Sequence, residues 1–95
     1  MKARISKEKL LKYLSTTAKA LDIAKKALDE KRLEDAEDFL DMASRYYSDA
    51  LYYHKKGEYV TAFAAVNYAH GWLDAGARIG LFKVKDSKLF TVDDD

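Results

Sequence analysis

The 95-residue sequence has no cysteine and no proline, and it has only four glycines. Without cysteine, disulfides and thiolate zinc sites are excluded, and we expect a reducing, cytoplasmic setting. The lack of proline and the few glycines favour long helices joined by short connections. A chain of this length forms one domain with a single modest core.

Long apolar runs are also missing. The longest stretch without Asp, Glu, Lys or Arg is Tyr59 to Leu73, which is fifteen residues. About 20 residues are needed to cross a bilayer, and the first residues lack the apolar core of a signal peptide. We therefore expect a soluble protein with no membrane partner.

Charged residues make up 35% of the chain, and they are unevenly distributed although the net charge is only +1. Residues 1–32 hold ten basic residues against four acidic ones, whereas residues 33–58 hold three basic residues against seven acidic ones. An antiparallel bundle would place these segments side by side, so we expect much of the charge to be satisfied between them. Nucleic acid is therefore not the expected partner, because proteins that bind it usually carry a strongly basic total or a concentrated basic patch.

The first predicted helix runs from Ser6 to Lys31. Ser6 is a suitable N-cap, and Glu8 places a carboxylate in the first turn, where it favours the helix dipole. Residues that fit one buried helix face recur every three or four positions. They are Leu10, Leu14, Thr17, Leu21, Ala24 and Leu28. The lysines on the opposite side indicate a solvated face.

The second predicted helix runs from Leu33 to Lys56. Its apolar stripe alternates steps of four and three, as the seam of a helical bundle does. The stripe consists of Ala36, Leu40, Ala43, Tyr47, Ala50 and His54. Gly57 follows and predicts the end of this helix, because glycine adopts the left-handed C′ conformation without a steric penalty.

The third predicted helix spans Glu58 to Phe82 and carries few charges. One of its faces holds small residues, including Gly76 and Gly80. A glycine inside a helix costs about 1 kcal/mol relative to alanine. We therefore expect a neighbouring helix to approach closely at these two positions.

Together, these patterns predict an all-α fold, an antiparallel up-down-up three-helix bundle over residues 1–82. The predicted core residues are Phe39, Leu40, Tyr47, Trp72, Leu73 and Ile79. Residues 83–95 contain a short apolar run, Leu89 to Val92, before three aspartates. We expect them to form an extended or partly disordered tail, or one that folds back over the bundle.

The candidate site lies on the third helix, in a set of four residues called the polar row. The row consists of Asn67, His70, Asp74 and Arg78, at steps of three, four and four. This spacing places the side chains on one helix face, where His70 could bond to Asp74 and Asp74 could pair with Arg78. Phe63 extends the row by one turn, and no lysine or glutamate flanks it. The row is the solvent face of an amphipathic helix, a buried polar seam inside the bundle or, with Phe63, a docking face.

Catalysis has weak support in the sequence. A metal site needs three or four converging ligands, and His70 with Asp74 provides two. His54, the other histidine, lies roughly 20 Å away along the helical hairpin at 1.5 Å per residue. The serines and threonines lie on other segments, and no glycine-rich phosphate loop is present. We predict no catalytic residue, no metal and no cofactor.

The segment YYSDALYYHKKGEYVTAFAAVNYAHGWLDAGARIGLF, Tyr46 to Phe82, resembles the signature region of a small archaeal family catalogued as domain of unknown function 357. The resemblance is specific over NYAHGWLDAGARIGLF and extends over Ile5 to Phe82. It implies a compact three-helix bundle in an archaeal cytoplasm, with no established activity, cofactor or partner. Function is therefore left open by the resemblance.

The leading functional hypothesis is a non-enzymatic interaction module. It would use Phe63 and the polar row to bind a protein partner or a second copy of the chain. The alternative is a nucleic-acid-binding accessory protein that uses the lysines of the first helix. An enzyme that acts on a small molecule is the third hypothesis.

Overall fold

The computed structural model describes residues 4–93. Three helices follow one another, α1 (Lys7–Lys25), α2 (Leu33–Lys55) and α3 (Tyr59–Arg78), with a 3₁₀ turn at Glu30–Arg32. They form the predicted all-α, up-down-up bundle, and α2 and α3 share the most extensive helix–helix contact. No strand occurs within the described residues, although Leu28 and Phe82 form an isolated antiparallel bridge. No helix in this range is long and apolar enough to cross a membrane.

Helix α1 begins as predicted, because the Ser6 side chain accepts a hydrogen bond from the backbone N–H of Lys9. The predicted end at Lys31 was wrong, since the helix stops at Lys25. Beyond it the backbone turns to bond with the C-terminal part of the chain. The N–H of Asp29 donates to the carbonyl of Leu81 at 2.8 Å, and the N–H of Lys83 donates to that of Ala27 at 2.7 Å.

Gly57 ends α2 as predicted. Its φ is +78°, and its N–H donates to the carbonyl of His54. The N–H of Glu58 donates to the carbonyl of Tyr53, which completes a Schellman motif. A tight turn between α2 and α3 follows from this local chemistry.

Helix α3 ends at Arg78, four residues before the predicted end at Phe82. Gly80 is not a helix-packing residue, because it lies after the helix with a φ of +80° and forms the C′ position of a second Schellman motif. Gly76 is a close-approach position, but its neighbour is an aromatic ring and not a helix. A Cβ atom placed on Gly76 would lie 2.7 Å from Cδ2 of Phe82.

The core consists of two clusters that follow the length of the bundle. The first holds Ala20, Ala24, Ala43, Leu73, Ala77, Phe82 and Phe90. The second holds Leu10, Leu14, Ala50, Ala62 and Val66. Alanines occupy many of the fully buried positions, so the helices pack closely.

Of the six predicted core residues, Leu73 is fully buried. Four others, Phe39, Leu40, Tyr47 and Trp72, are half-buried against the two clusters. Ile79 was placed wrongly, since 54% of it is exposed. The reason is that α3 has ended at Arg78 and the chain turns inward only afterwards, so that Leu81 and Phe82 fill the core instead.

The described part of the C-terminal tail, residues 83–93, lies against the bundle. Phe90 is only 3% exposed and belongs to the first core cluster, against which Leu89, Val84 and Val92 also pack. A turn closed by the carbonyl of Asp86, which accepts from the N–H groups of Leu89 and Phe90, directs these side chains inward. Of the two arrangements expected for the tail, residues 83–93 adopt the one that folds back over the bundle.

Candidate functional site

His70 joins three separate parts of the chain. Its Nδ1 atom lies 3.0 Å from the hydroxyl oxygen of Thr17 on α1, and its Nε2 atom lies 2.7 Å from the carbonyl oxygen of Leu89 in the tail. A carbonyl oxygen only accepts hydrogen bonds, so Nε2 carries a hydrogen and donates it. In the neutral ring, the Thr17 hydroxyl then donates to Nδ1.

Asp74 holds the same tail segment one turn further along α3. Its Oδ1 atom accepts the backbone N–H of Thr91 at 2.9 Å. The distance from His70 Nε2 to this oxygen is 3.7 Å, which is within ion-pair range and too long for a hydrogen bond. Among the described residues, no ion pair joins Asp74 to Arg78. Of the two i, i+4 pairs considered from the spacing, His70 and Asp74 lie at ion-pair distance while both bond to the tail, and the pair of Asp74 with Arg78 does not form.

The remaining members of the predicted face have different surroundings. Asn67 is exposed and donates from Nδ2 to the carbonyl of Phe63 in its own helix. Arg78 is exposed at the end of α3. Phe63 is half-buried because Tyr13 of α1 packs edge-on against its ring, with the ring centroids 5.0 Å apart. The structure thus divides this face into a centre that bonds to the tail, a half-buried Phe63, and the exposed residues Asn67 and Arg78.

A cavity of about 200 Å³ lies between α1 and α3 beside His70. Its lining is formed by Tyr13, Thr16, Thr17, Asn67, His70, Gly71 and Asp74. No group of three or more His, Asp or Glu side chains suited to a metal ion occurs within residues 4–93.

The Thr17 hydroxyl, the His70 imidazole and the Asp74 carboxylate lie in the order found in hydrolase triads. The fold brings Thr17 to His70 although the two lie on different segments, a proximity that sequence spacing did not indicate. Thr17 is only 1% exposed, and Nε2 of His70 is already bonded to Leu89. A nucleophile must reach its substrate, so this arrangement supports binding of the tail and not nucleophilic catalysis.

A second face of α3 is open along its whole length. Five of its residues and Ile79, which directly follows the last residue of α3, are exposed and uncharged, and this set is called the outer stripe. It consists of Val60, Ala64, Tyr68, Gly71, Ala75 and Ile79. The two largest, Tyr68 and Ile79, are 55% and 54% exposed. The sequence did not show that these two residues face outward, and it placed Ile79 in the predicted core.

Two shallow apolar grooves run beside the outer stripe, where α2 meets α3. One of about 320 Å³ is lined by Phe39, Tyr68, Gly71, Trp72 and Ala75. The other, of about 370 Å³, lies beyond Tyr68. The walls of the grooves contain two edge-on ring pairs. In these pairs Phe39 packs against Trp72, and Tyr46 packs against Tyr68.

Gly71, at the centre of the outer stripe, has no explanation in the packing of the chain. A Cβ atom added there would have no heavy atom within 4 Å, apart from its own helix and chain neighbours. A glycine in a helix interior costs about 1 kcal/mol relative to alanine. The single chain therefore loses stability at Gly71 without gaining a contact.

The charges of α1 and α2 are not satisfied between the two helices, contrary to expectation. Lys26, which directly follows α1, pairs with Asp22 of the same helix, and Arg45 pairs with Asp41 inside α2. No ion pair within residues 4–93 joins α1 to α2. A basic surface on α1 and an acidic surface on α2 are both left facing solvent.

Asp29 helps to join the loop after α1 to the end of α3, a contact that the sequence did not reveal. Its carboxylate accepts the N–H of Lys31 at 3.0 Å and Nε of Arg32 at 3.1 Å, while Arg32 also donates to the carbonyl of Ile79 at 2.9 Å. The N–H of Lys31, followed by the guanidinium of Arg32, holds the pKa of Asp29 below its ordinary value. The sequence did contain a signal that α1 ends early. After Leu28, charged residues occupy the positions where the apolar stripe of α1 would have continued.

These features define a small all-α bundle whose own C-terminal segment is bound by side chains of its third helix. The family described as "Protein of unknown function (DUF357)" matches residues 12–82, and the chain belongs to this family. The matched range includes His70 and Asp74 but not the tail residues that they bind. Comparisons with curated proteins and with solved structures find no match.

Proposed function

We propose that the protein is a non-enzymatic interaction module that docks a protein partner on the exposed face of α3. The observation that carries this proposal is the outer stripe, whose six residues are all exposed and all uncharged. In a chain with 35% charged residues, an uncharged stripe along a whole helix is unusual for a solvated face. Contiguous exposed apolar surface is typical of interaction sites.

The polar row contributes to the edge of this docking face. Its central members, His70 and Asp74, already use both ring nitrogens and the Oδ1 atom in bonds within the chain. Asn67 and Arg78 stay exposed beside the outer stripe. These two residues can supply the polar rim that surrounds the apolar centre of most interfaces.

Photo-cross-linking in cells that produce the chain tests this function. Benzoylphenylalanine replaces Tyr68, which is 55% exposed on the outer stripe, and in a control it replaces Tyr52, which is 56% exposed on α2. We expect a covalent adduct of defined mass from position 68 and none from position 52. Equal labelling at both positions, or no adduct at position 68, would contradict the proposal.

The unpaired charge on α1 favours nucleic-acid binding as a second candidate function. Lys7, Lys12 and Lys19 are exposed, and no carboxylate of α2 forms an ion pair with α1 within the described residues. Binding through such lysines would weaken steeply as salt concentration rises, because counterions are released from the phosphates. A fluorescence titration with a short RNA at two salt concentrations tests it, and weak binding that does not respond to salt would exclude it.

A further inference from the structure

We infer that the occupant of the outer stripe is a second copy of this chain, packed antiparallel against α3 about a two-fold axis between Tyr68 and Gly71. This inference rests on the proposed docking function and names its partner. The surface in question consists of residues that are exposed in the single chain, although one edge of the Tyr68 ring contacts Tyr46.

The spacing of the outer stripe reads the same in both directions. Its residues follow one another at steps of four, four, three, four and four. A two-fold interface uses the same patch on both copies, so each residue must find an acceptable partner when the helix direction is reversed. A palindromic spacing meets this condition for antiparallel helices.

The sizes of the residues are complementary in the same register. An axis midway between Tyr68 and Gly71 places Tyr68 of each copy beside Gly71 of the other. In the same register Ala64 lies beside the other copy's Ala75. The bulkiest residue is thus paired with the smallest, as packing without voids requires.

This register also explains why position 71 is a glycine. A Cβ atom at Gly71 would meet nothing within 4 Å in the single chain, so the glycine does not serve its fold. In the antiparallel pair, the Tyr68 ring of the other copy needs the space that a side chain at position 71 would fill. The glycine then permits the close approach of two helices.

Charge favours the antiparallel arrangement over the parallel one. The charged residue next to the stripe on α3 is Arg78, and a parallel pair would bring the two Arg78 side chains together. In the antiparallel register they lie seventeen residues apart along the helix direction, roughly 25 Å at 1.5 Å per residue. A parallel pair would also set Tyr68 against Tyr68 and leave a gap at Gly71.

The apolar grooves supply contact area that a single helix lacks. A helix face about 30 Å long and about 10 Å wide offers roughly 300 Å², against about 800 Å² per partner in a stable interface. A two-fold axis perpendicular to both helices brings the same flank of each copy together. The grooves beside Trp72 therefore face each other and extend the interface to α2.

Disulfide trapping tests both the partner and the register, and the chain is suited to it because it has no native cysteine. One sample contains Ala64→Cys, a second contains Ala75→Cys, and a third mixes the two variants, one of them carrying a mass tag. All samples are oxidised under the same conditions at the same protein concentration. The products are separated on a non-reducing gel and identified by mass.

We expect a linked dimer of one tagged and one untagged copy in the mixture, with little product from either variant alone. In the inferred register the two sulfurs of an Ala64→Cys pair, like those of an Ala75→Cys pair, start roughly 16 Å apart along the helix direction, beyond the reach of a disulfide. Dominant self-linking of Ala64→Cys would indicate a parallel pair and overturn the inference. The absence of any linked dimer would overturn it as well.

A second variant measures the contact at Gly71 without cross-linking. Gly71→Gln adds a side chain where the single chain has open space, so its helical content should match the parent. Sedimentation equilibrium should show self-association weakened at least tenfold, whereas Ser15→Gln on the exposed face of α1 should leave it unchanged. Equal association of both variants would overturn the inference.

The two proposals fail in distinguishable ways. A Tyr68 photo-adduct with twice the mass of the chain supports self-association. An adduct with another protein, together with a purified chain that stays monomeric, would overturn the second copy and retain the docking function. No position-specific adduct at Tyr68 would overturn both.

Discussion

The Nε2 atom of His70 lies 2.7 Å from the carbonyl oxygen of Leu89, and the Nδ1 atom of the same ring lies 3.0 Å from the Thr17 hydroxyl. One imidazole therefore links α1, α3 and the C-terminal segment. This relationship makes the centre of the polar row an internal structural element. The docking surface that was expected at the polar row is therefore proposed at the neighbouring outer stripe.

Removing the imidazole should destabilise the fold. His70→Ala leaves the Thr17 hydroxyl and the Leu89 carbonyl without their partner, and unsatisfied buried groups cost about 1–3 kcal/mol. Urea unfolding measures the loss. Asn67→Ala is the control, since Asn67 is exposed and bonds only within its own helix, and it should change stability by less than about 0.5 kcal/mol. Equal effects of the two substitutions would show that the tail contact at His70 contributes nothing.

Phe90 should contribute to stability as a core residue although it lies in the tail, outside the three helices. It is 3% exposed and belongs to the first core cluster, so Phe90→Ala should cost about 3–5 kcal/mol. Lys88→Ala, two residues away and exposed, should be nearly neutral. Thermal unfolding of the two variants gives the comparison. A neutral Phe90→Ala would mean that the tail does not pack on the bundle in solution.

Two glycines of α3 should respond to alanine in opposite directions. Gly76→Ala would drive a methyl group into the Phe82 ring and should cost about 1–3 kcal/mol. Gly71→Ala meets open space and should stabilise the monomer by up to about 1 kcal/mol, through helix propensity. Urea unfolding should be measured at a protein concentration low enough to keep the chain monomeric. Destabilisation by Gly71→Ala under these conditions would contradict the packing described for it.

Stability should depend on Asp29 at neutral pH and lose that dependence in acid. The pKa of Asp29 is lowered in the folded state, chiefly by the Lys31 N–H and then by Arg32, so the folded chain binds its proton less readily than the unfolded chain. The contribution is thus fully present above the unfolded pKa of about 4 and is lost as the pH falls through the folded value. Asp29→Asn should be less stable than the parent at pH 7, and the difference should shrink at pH 3.

Asp22→Asn is the matched control for this pH experiment. Asp22 forms an exposed ion pair with Lys26 one turn away, and such pairs contribute little. Its difference from the parent should be small at both pH values. A gap between Asp29→Asn and the parent that widens on acidification would reverse the expected sign and disprove the role of the carboxylate.

Local chemistry explains why parts of the fold were predictable. Ser6 caps α1 and Gly57 ends α2 through hydrogen bonds to residues at most five positions away, so the signals are contained in short stretches of sequence. The end of α1 was predicted too far along the chain, because the backbone after it bonds to a distant partner. The end of α3 was also predicted too late, because Gly80 was assigned to helix packing although it forms a local Schellman motif. The N–H of Asp29 bonds to Leu81, more than fifty residues later, and no local pattern encodes that pairing.

The candidate site shows the same division. The spacing of His70 and Asp74 correctly indicated that they share a helix face, because helical periodicity is a local property. It did not indicate that Leu89 and Thr91 would cover that face, because this requires the tail to turn back at Asp86. The same absence of non-local information left Ile79 in the predicted core.

The amino-acid pattern was thus sufficient for the number and order of the helices, the cap at Ser6 and the stop at Gly57, all of which depend on neighbours within about one turn. The burial of Phe90, the engagement of His70 and the exposure of the outer stripe arose from assembly of the bundle. α3 has more apolar surface than α1 and α2 cover. Which part of that surface is buried depends on where those helices and the tail come to lie, and that is set by contacts between residues far apart in the chain.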